Sequence, residues 1–464
     1  MSSRVKFFTL PLVLAALAAI SAFADSNVRI VRLSLVEGDV QIDRTQGYEK
    51  AFLNLPITQG AKIRTNNDGR AEVEFEDGST LRLTPGTVVD FPELSLRDSG
   101  GKVSTVHLQE GTAYLNFSGS SNDQFTMKFG REQFTAINPV HLRVEMGYTD
   151  ATLALFKGQL KVEGPSGSAS IDKKQTVTFD LADNDKFQLA KNLEEDPFDS
   201  WDKQQEDYHQ RYMARSSSSS YSPYSYGTAD LNYYGNFTNV AGYGMMWQPY
   251  FANAGWDPFM SGSWFYSPGF GYNWVSAYPW GWVPYHYGNW MFVPSYGWMW
   301  QPGGAWYGYV TPRVLNAPGT YVVPRVPSTG GGRTVVVSGG PVSGLAASPR
   351  QVVIRDGSAG LGVPRGSVKN LSKLSPQVQQ KGLVATDIHT IPIPTASAAS
   401  AQRAAAAAQR APVSSPSAMP GTTTRTPSTS TMGRPAAGSS PRVSSPSAPR
   451  TPVPHTSSPR VPHQ

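Results

Sequence analysis

The sequence predicts an all-β protein: a β-sandwich or roll in front, one short helix, aromatic β-hairpin repeats in the middle and a long disordered tail behind. Three observations carry this. Residues 28–190 alternate apolar and polar side chains in short runs separated by Gly and Asp, the period-2 pattern of half-buried strands. Residues 242–312 hold a Trp-rich motif recurring at intervals of 27 and 26 residues. Beyond Pro312 the chain turns to Pro, Ser, Thr, Ala, Gly and Arg, a composition unable to build a core of its own.

The first residues read as a secretory signal. Arg4 and Lys6 precede an apolar run over residues 7–20, and Ala22-Phe23-Ala24 forms a small-residue cleavage site. Residues 1–24 are therefore expected to be removed. The run is shorter than the roughly 20 residues of a spanning helix, and no other stretch is continuously apolar, so no transmembrane span is expected after cleavage. With no cysteine, disulfides, thiol catalysis and Cys-ligated zinc are excluded. Export without disulfides points to a bacterial envelope, either the periplasm or the outer surface. The net charge of +6 hides an asymmetry: residues 25–215 carry 22 basic and 30 acidic side chains, residues 216–464 carry 16 and 4. Opposite charge can draw the tail onto the folded domain or onto anionic surfaces.

Strands are expected at residues 36–42, 71–75, 80–83, 88–91, 103–108, 112–117, 125–129, 140–144, 152–156 and 159–162. Glu76-Asp77-Gly78-Ser79 places Asp-Gly between two alternating runs, a strong hairpin signal, and Phe156-Lys157-Gly158-Gln159 repeats the logic. Alternation puts Val73 and Phe75 toward the core, with Glu72, Glu74, Glu76 and Asp77 on a solvated strand face. These acids can attract a cation such as calcium, but a solvated face is the blander reading.

Several ordered motifs then converge. Glu37-Gly38-Asp39-Val40, Gly60-Ala61-Lys62-Ile63-Arg64-Thr65, the run from Gly69 to Phe75, the run from Asp77 to Pro85 and Gly111-Thr112-Ala113-Tyr114-Leu115 resemble the periplasmic FecR domain, as does the later run from Phe156 to Val162. The resemblance covers most of residues 36–165. It implies an exported β-domain that contacts other envelope proteins or polymers. The best-understood members of that family are iron-siderophore signalling regulators with a cytoplasmic anti-sigma segment. Here only a handful of residues precede the apolar stretch, so no sigma-factor-holding domain is expected.

Asp196 followed by Pro197 reads as a helix start, and Phe198, Trp201, Tyr208 and Tyr212 recur on one face. A connector helix over residues 195–215 follows, its aromatic face packed on the β-domain as a clasp or open to a partner. Five consecutive serines from Ser216 mark a linker over residues 216–241.

Ten of the eleven tryptophans lie within residues 243–306, and between Leu231 and Pro312 the only charged side chain is Asp257. Tyr243-Gly244-Met245-Met246-Trp247, Phe270-Gly271-Tyr272-Asn273-Trp274 and Tyr296-Gly297-Trp298-Met299-Trp300 share an aromatic-Gly-x-x-Trp core. The later two extend backwards in register, so each unit reads as a hairpin. Such hairpins are unstable alone and must stack or pair. The rings serve either as the repeats' core or as a stacking surface for sugars, with Trp264, Trp274, Trp290 and Trp300 as candidates and Asn273, Asn289, Gln248 and Gln301 as hydroxyl partners. A protein interface is the third reading. Nucleic acid is not expected, since base-stacking platforms interleave Lys or Arg and none is present.

Residues 313–464 read as an extended basic spacer or a binder of anionic envelope polymers. Residues 334–337 and 351–354 are Val-rich runs that can pair, and residues 401–411 favour a short helix. Seven histidines are scattered without metal-ligand spacing, and no nucleophile elbow, phosphate loop or dinucleotide fingerprint occurs. No enzyme, metal or cofactor is expected. The expected partners are envelope proteins, polysaccharide or peptidoglycan, bound by a scaffold. A sensory role through a separate membrane partner, and glycan recognition by the aromatic repeats, stand as alternatives.

Overall fold

Alternating side chains from residue 31 onward fold as strands in which each odd or even set takes one face. The computed structural model describes residues 29–44, 47–120, 122–213, 226–267, 271–303, 350–388 and 394–410, all within the compact unit Met1–Arg410. The expected signal, linker residues 216–225 and tail residues 313–349 and 411–464 lie outside the described residues.

The first strands are β1 (Val31–Glu37), β2 (Val40–Asp43), β3 (Tyr48–Lys50), β4 (Pro56–Ile57), β5 (Lys62–Thr65), β6 (Arg70–Glu74), β7 (Thr80–Leu83), β8 (Thr87–Leu96) and β9 (Lys102–Phe117). They continue as β10 (Gln124–Phe129), β11 (Glu132–Ala136), β12 (Val140–Met146), β13 (Asp150–Lys157), β14 (Gln159–Gly164), β15 (Gly167–Asp172), β16 (Gln175–Asp180) and β17 (Lys186–Ala190). Two sheets result, and they share β9. One runs β4-β1-β6-β7-β9-β12-β13-β16-β17. The other runs β3-β2-β5-β8-β9-β10-β11-β14-β15. All of these pairings are antiparallel except β9 with β10.

The long strand changes sheets at Gly111, whose φ of +87° and whose approach to the Gly86 carbonyl leave no room for a Cβ. Between the sheets pack Leu33, Val73, Leu81, Leu115 and Leu142 from one side and Ile42, Ile63, Val89, Val106 and Phe125 from the other. The single strand expected at 36–42 is two strands, because Gly38 turns the chain at φ +68°.

A helix, α1 (Asp199–Met213), crosses the outer face of the first sheet. Its start is a reciprocal cap: the Phe198 N–H donates to Asp196 Oδ1 at 2.9 Å, and the Asp196 N–H donates to Asp199 Oδ2 at 2.9 Å. Phe198, Trp201, Tyr208 and Tyr212 are all buried. The helix is a clasp, as its aromatic face suggests.

The aromatic region begins earlier than expected. Residues 226–241, placed in a linker by their Ser/Tyr-rich approach, contain α2 (Thr228–Tyr234) and β18 (Gly235–Val240). β18 pairs with β19 (Gly244–Pro249), β20 (Gly262–Ser267) with β21 (Gly271–Ser276), and, after the short α3 (Val283–His286), β22 (Asn289–Val293) with β23 (Gly297–Gln301). Each motif is thus a hairpin. The first and third join edge to edge where Trp247 lies opposite Trp300.

Residues 350–410, expected as part of a coreless spacer, are also folded. β24 (Arg350–Arg355) pairs with β25 (Leu383–Ile388) around α4 (Leu371–Lys381), and α5 (Ala396–Arg410) follows. This segment lacks the apolar residues for a core of its own, and it borrows one. Val352, Ile354, Val363, Leu371, Val378 and Ile388 are buried in the same cluster as Trp247, Trp280, Trp282 and Trp300.

Candidate functional site

Antiparallel register sets Arg32 on β1 opposite Glu74 on β6, and Glu72 on β6 opposite Arg82 on β7, all on the outer face of the first sheet. The acids, expected to face water, are covered instead. Helix α1 lays Asp202, Glu206 and His209 over them, α2 brings Asp230, and the loop after β24 brings Arg365. Alternation fixes which face a side chain takes, but it is silent about what packs there. Glu72, Glu74, Arg32, Arg82 and Asp230 are each at most 1% exposed.

Every charge in this cluster has an opposite. Glu72 accepts from Ser34 Oγ at 2.6 Å, Arg365 Nη1 at 2.6 Å and Arg82 Nε at 2.8 Å, with His209 Nε2 at 2.9 Å. Asp230 accepts from Tyr208 Oη at 2.8 Å and from Arg365 Nε and Nη2 at 3.0 Å each, and pairs with Arg32 at 2.7 Å. Glu74 accepts from Arg32 Nη1 at 2.9 Å and from the Gly227 N–H at 3.1 Å. Arg82 also donates to Asp202 at 2.8 Å and Glu206 at 3.2 Å.

Burial alone would raise every carboxyl here. At Glu72 this is overturned by His209, Arg365 and Arg82, which hold the carboxyl well below the usual range. At Asp230 burial is likewise outweighed, by Arg365 and Arg32. Glu74 differs: burial wins over Arg32 and His209, and its carboxyl is raised. The arrangement is cohesive, fixing α1, the aromatic region and the C-terminal segment to one sheet.

A second polar contact repeats the theme. Tyr114 donates its hydroxyl to Asp196 at 3.0 Å and Asp199 at 2.8 Å, while Arg403 of α5 donates to Asp196 at 2.7 Å and lies 3.2 Å from Glu145. Arg365 on Glu72, and Arg403 on Asp196 and Glu145, thus realise at specific pairs the attraction of a basic tail for an acidic domain.

The four tryptophans named as stacking candidates divide. Trp300 is fully buried and donates Nε1 to the Tyr287 carbonyl at 2.7 Å, and Trp274 is buried under Trp264 and Phe259. A ring in the core cannot stack on a ligand, so these two are removed as candidates. Trp264 and Trp290 are half-buried, Trp290 against Trp247, Trp256 and Trp280. Of the expected hydroxyl partners, Gln248 donates to the Tyr296 and Trp298 carbonyls and Gln301 to the Tyr243 carbonyl, Asn273 is buried, and Asn289 is exposed.

Each hairpin has the same two-level plan. An inner cross-strand pair, Phe237 with Trp247, Trp264 with Trp274 or Trp290 with Trp300, faces the core. Two residues further toward the turn sits an outer pair on the same face. In the second and third hairpins it is Tyr266 with Tyr272 and Phe292 with Trp298, rings 5.4 and 5.9 Å apart, and in the first it is Asn239 with Met245. Tyr266 and Phe292 are 55% and 57% exposed. The tandem motif marked the inner rings, and only the register reveals the outer ones.

The sandwich whose β9 serves both sheets is the part of the molecule that comparison identifies. Residues 61–161, spanning β5 to β14, match the family model described as FecR protein. The chain is a FecR-domain protein. Residues 228–315, which take in α2 and all three hairpins, match a family of unknown function, DUF6600. Two solved structures of a candidate anti-sigma factor from Parabacteroides distasonis are similar over 28% of this chain and 60% of theirs, at 16% and 15% identity and TM-scores of 0.26 and 0.25. The chain thus spans about 60% of the length of those proteins. No curated protein matches it. Among the described residues, no helix is long and apolar enough to cross a membrane.

Proposed function

We propose that this chain is an exported, non-enzymatic cell-envelope protein in which the FecR domain is the base of a scaffold and the aromatic hairpins form the binding surface. The observation that carries this reading is the Glu72–Arg365–Asp230 cluster. It seals one outer face of the FecR domain beneath the protein's own aromatic and C-terminal regions, leaving Tyr266 and Phe292, each backed by a half-buried ring of Tyr272 or Trp298, displayed. Paired rings with little charge near them suit the C–H faces of sugars in a polysaccharide or peptidoglycan. The stacking role first given to the inner tryptophans passes to these outer rings.

The test is a pull-down of the full mature chain on insoluble polysaccharides and peptidoglycan. Saturable retention that is lost in a Tyr266→Ala/Phe292→Ala double variant with unchanged melting supports a glycan-binding scaffold. Absence of retention on every polymer moves the reading to a protein partner. The second reading, relay of an envelope signal through a separate membrane partner, is favoured by the FecR match itself. Crosslinking in membranes that captures one membrane protein through the FecR domain would select it.

A further inference from the structure

At one end of the sandwich three turns converge: residues 130–131 between β10 and β11, 165–166 between β14 and β15, and 181–185 between β16 and β17. Register explains the meeting, since β11 pairs with β14, and Phe129 of β10 contacts Phe179 of β16 across the sheets at 6.1 Å. Inside the convergence lie two carboxylates, Glu132 and Asp185, 1% and 0% exposed. The other buried acids among the described residues are met by Arg, His or, at Asp123, Lys102 and Ser120. Here all four carboxylate oxygens lack a hydrogen-bond partner among the described residues.

Arg131 Nη2 stands 2.6 Å from Asp185 Oδ2, but as an ion pair without hydrogen-bond geometry, and its side chain is more than half exposed. Among the described residues no ion pair within 4 Å reaches Glu132, although the Arg131 charge acts on it weakly. After burial, the Asp185 charge is the largest influence raising its carboxyl, and the nearby N–H groups of Arg131 and Glu132 oppose this without meeting hydrogen-bond geometry. Two desolvated carboxylates that act on each other's charge without a hydrogen-bond donor are unfavourable as a pair of anions unless one takes up a proton or a cation stands between them. Glycines line the space: a Cβ on Gly164 would lie 3.0 Å from Glu132 Oε1, and one on Gly130 3.3 Å from Oε2.

We propose that Glu132 and Asp185 bind a calcium ion at this end of the FecR sandwich, tying the three turns together. No group of three or more His, Cys, Asp or Glu side chains among the described residues is arranged for a metal, so the remaining ligands are turn carbonyls and water. Calcium accepts such mixed oxygen sets with flexible geometry, whereas magnesium demands a near-ideal octahedron and keeps its water. Two carboxylates beside an arginine define a weak site, of the class with dissociation constants of about 10⁻⁴–10⁻³ M found in extracellular modules. Arg131 is the competing counter-ion, free to swing outward when the ion binds.

The test is thermal unfolding of the full mature chain, stripped with chelator, against added calcium or magnesium. Calcium should raise the melting temperature saturably, with a midpoint in that range, and magnesium should act at least about tenfold more weakly. Glu132→Gln should abolish the shift. Arg131→Ala, a change at an exposed side chain, should move the midpoint to lower calcium. The proposal is overturned if calcium leaves the wild type unshifted, or if Glu132→Gln keeps the response. Should Glu132→Gln fail to fold, equilibrium dialysis of calcium against wild type and Arg131→Ala decides: no binding, or binding unchanged by the loss of Arg131, overturns it as well.

Discussion

Glu72 and Glu74 lie on the same face of one strand, two residues apart, yet the structure gives them opposite energetics. Glu72 is met by two arginines, a histidine and a serine, and loses its proton easily. Removing its charge takes one counter-ion from each of two buried arginines, leaving Arg82 with Asp202 and Glu206 and Arg365 with Asp230, so Glu72→Gln should cost up to about 3–5 kcal/mol in denaturant unfolding. Glu74 is raised by burial, so Glu74→Gln should cost clearly less. The signs also fix the pH response. Glu72, Asp202 and Asp230 have folded-state values below their unfolded ones. Their contribution is complete above the ordinary carboxylate range of about pH 4 and is lost as pH falls through the depressed values. Glu74, being raised, contributes in the reverse sense: its effect is present at low pH and lost as pH rises through its folded value. Asp123, Asp196 and Glu206 are depressed as well, while Asp77, Glu132 and Glu145 are raised like Glu74. With six depressed groups against four, unfolding followed by circular dichroism should show stability falling below about pH 4.

At the scale of elements, what the sequence disclosed depends on whether a signal is local. Strand alternation, the Asp-Gly turn and the Asp196–Pro197 helix start are local, and the elements they announce are present. The hairpin repeat was legible in its Trp and Gly positions, but β18 was not, because its inner aromatic is Phe237 and only the short α2 separates it from a Ser/Tyr-rich stretch. The passage of β9 between sheets was invisible for a different reason: Gly111 is read as a turn glycine until both neighbours are known. Its positive φ and the Gly86 carbonyl 2.4 Å from a would-be Cβ predict that Gly111→Ala costs about 1–3 kcal/mol from backbone strain, with the steric clash added. The hairpins offer a paired test of their two levels. Trp300→Ala removes a fully buried ring and should cost about 3–5 kcal/mol, whereas Phe292→Ala, at an exposed ring, should leave the melting transition within about 0.5 kcal/mol. Equal losses at both positions would mean that the outer pair is also core.

For the whole molecule, the feature least legible in the sequence is that three compositionally distinct regions share one interior. The FecR strands present buried acids, the aromatic hairpins present rings, and the C-terminal segment supplies Arg365 and a small aliphatic set that fits between them. Composition marked residues 350–388 as too poor for a core of their own, but adequacy was judged one region at a time, and they fold on a shared one. Val363 and Val368 accept hydrogen bonds from Tyr234 and Tyr233 at 2.7 and 3.1 Å, and the Ala359 carbonyl accepts from Trp280 Nε1 at 2.7 Å. These partners are far apart in sequence and cannot be inferred from either side alone. Deleting residues 350–464 should therefore do more than trim a tail. It leaves Glu72 and Asp230 without Arg365 and uncovers Trp280 and Tyr234, so the truncated chain should melt at a lower temperature, with red-shifted tryptophan emission before the main transition. Because Arg32, Arg82 and α1 still hold the other side of the cluster, the FecR sandwich itself should persist. Far-ultraviolet circular dichroism of the truncated chain should keep its β signal through that early fluorescence change. Simultaneous loss of both signals would show instead that the three regions unfold as one cooperative unit.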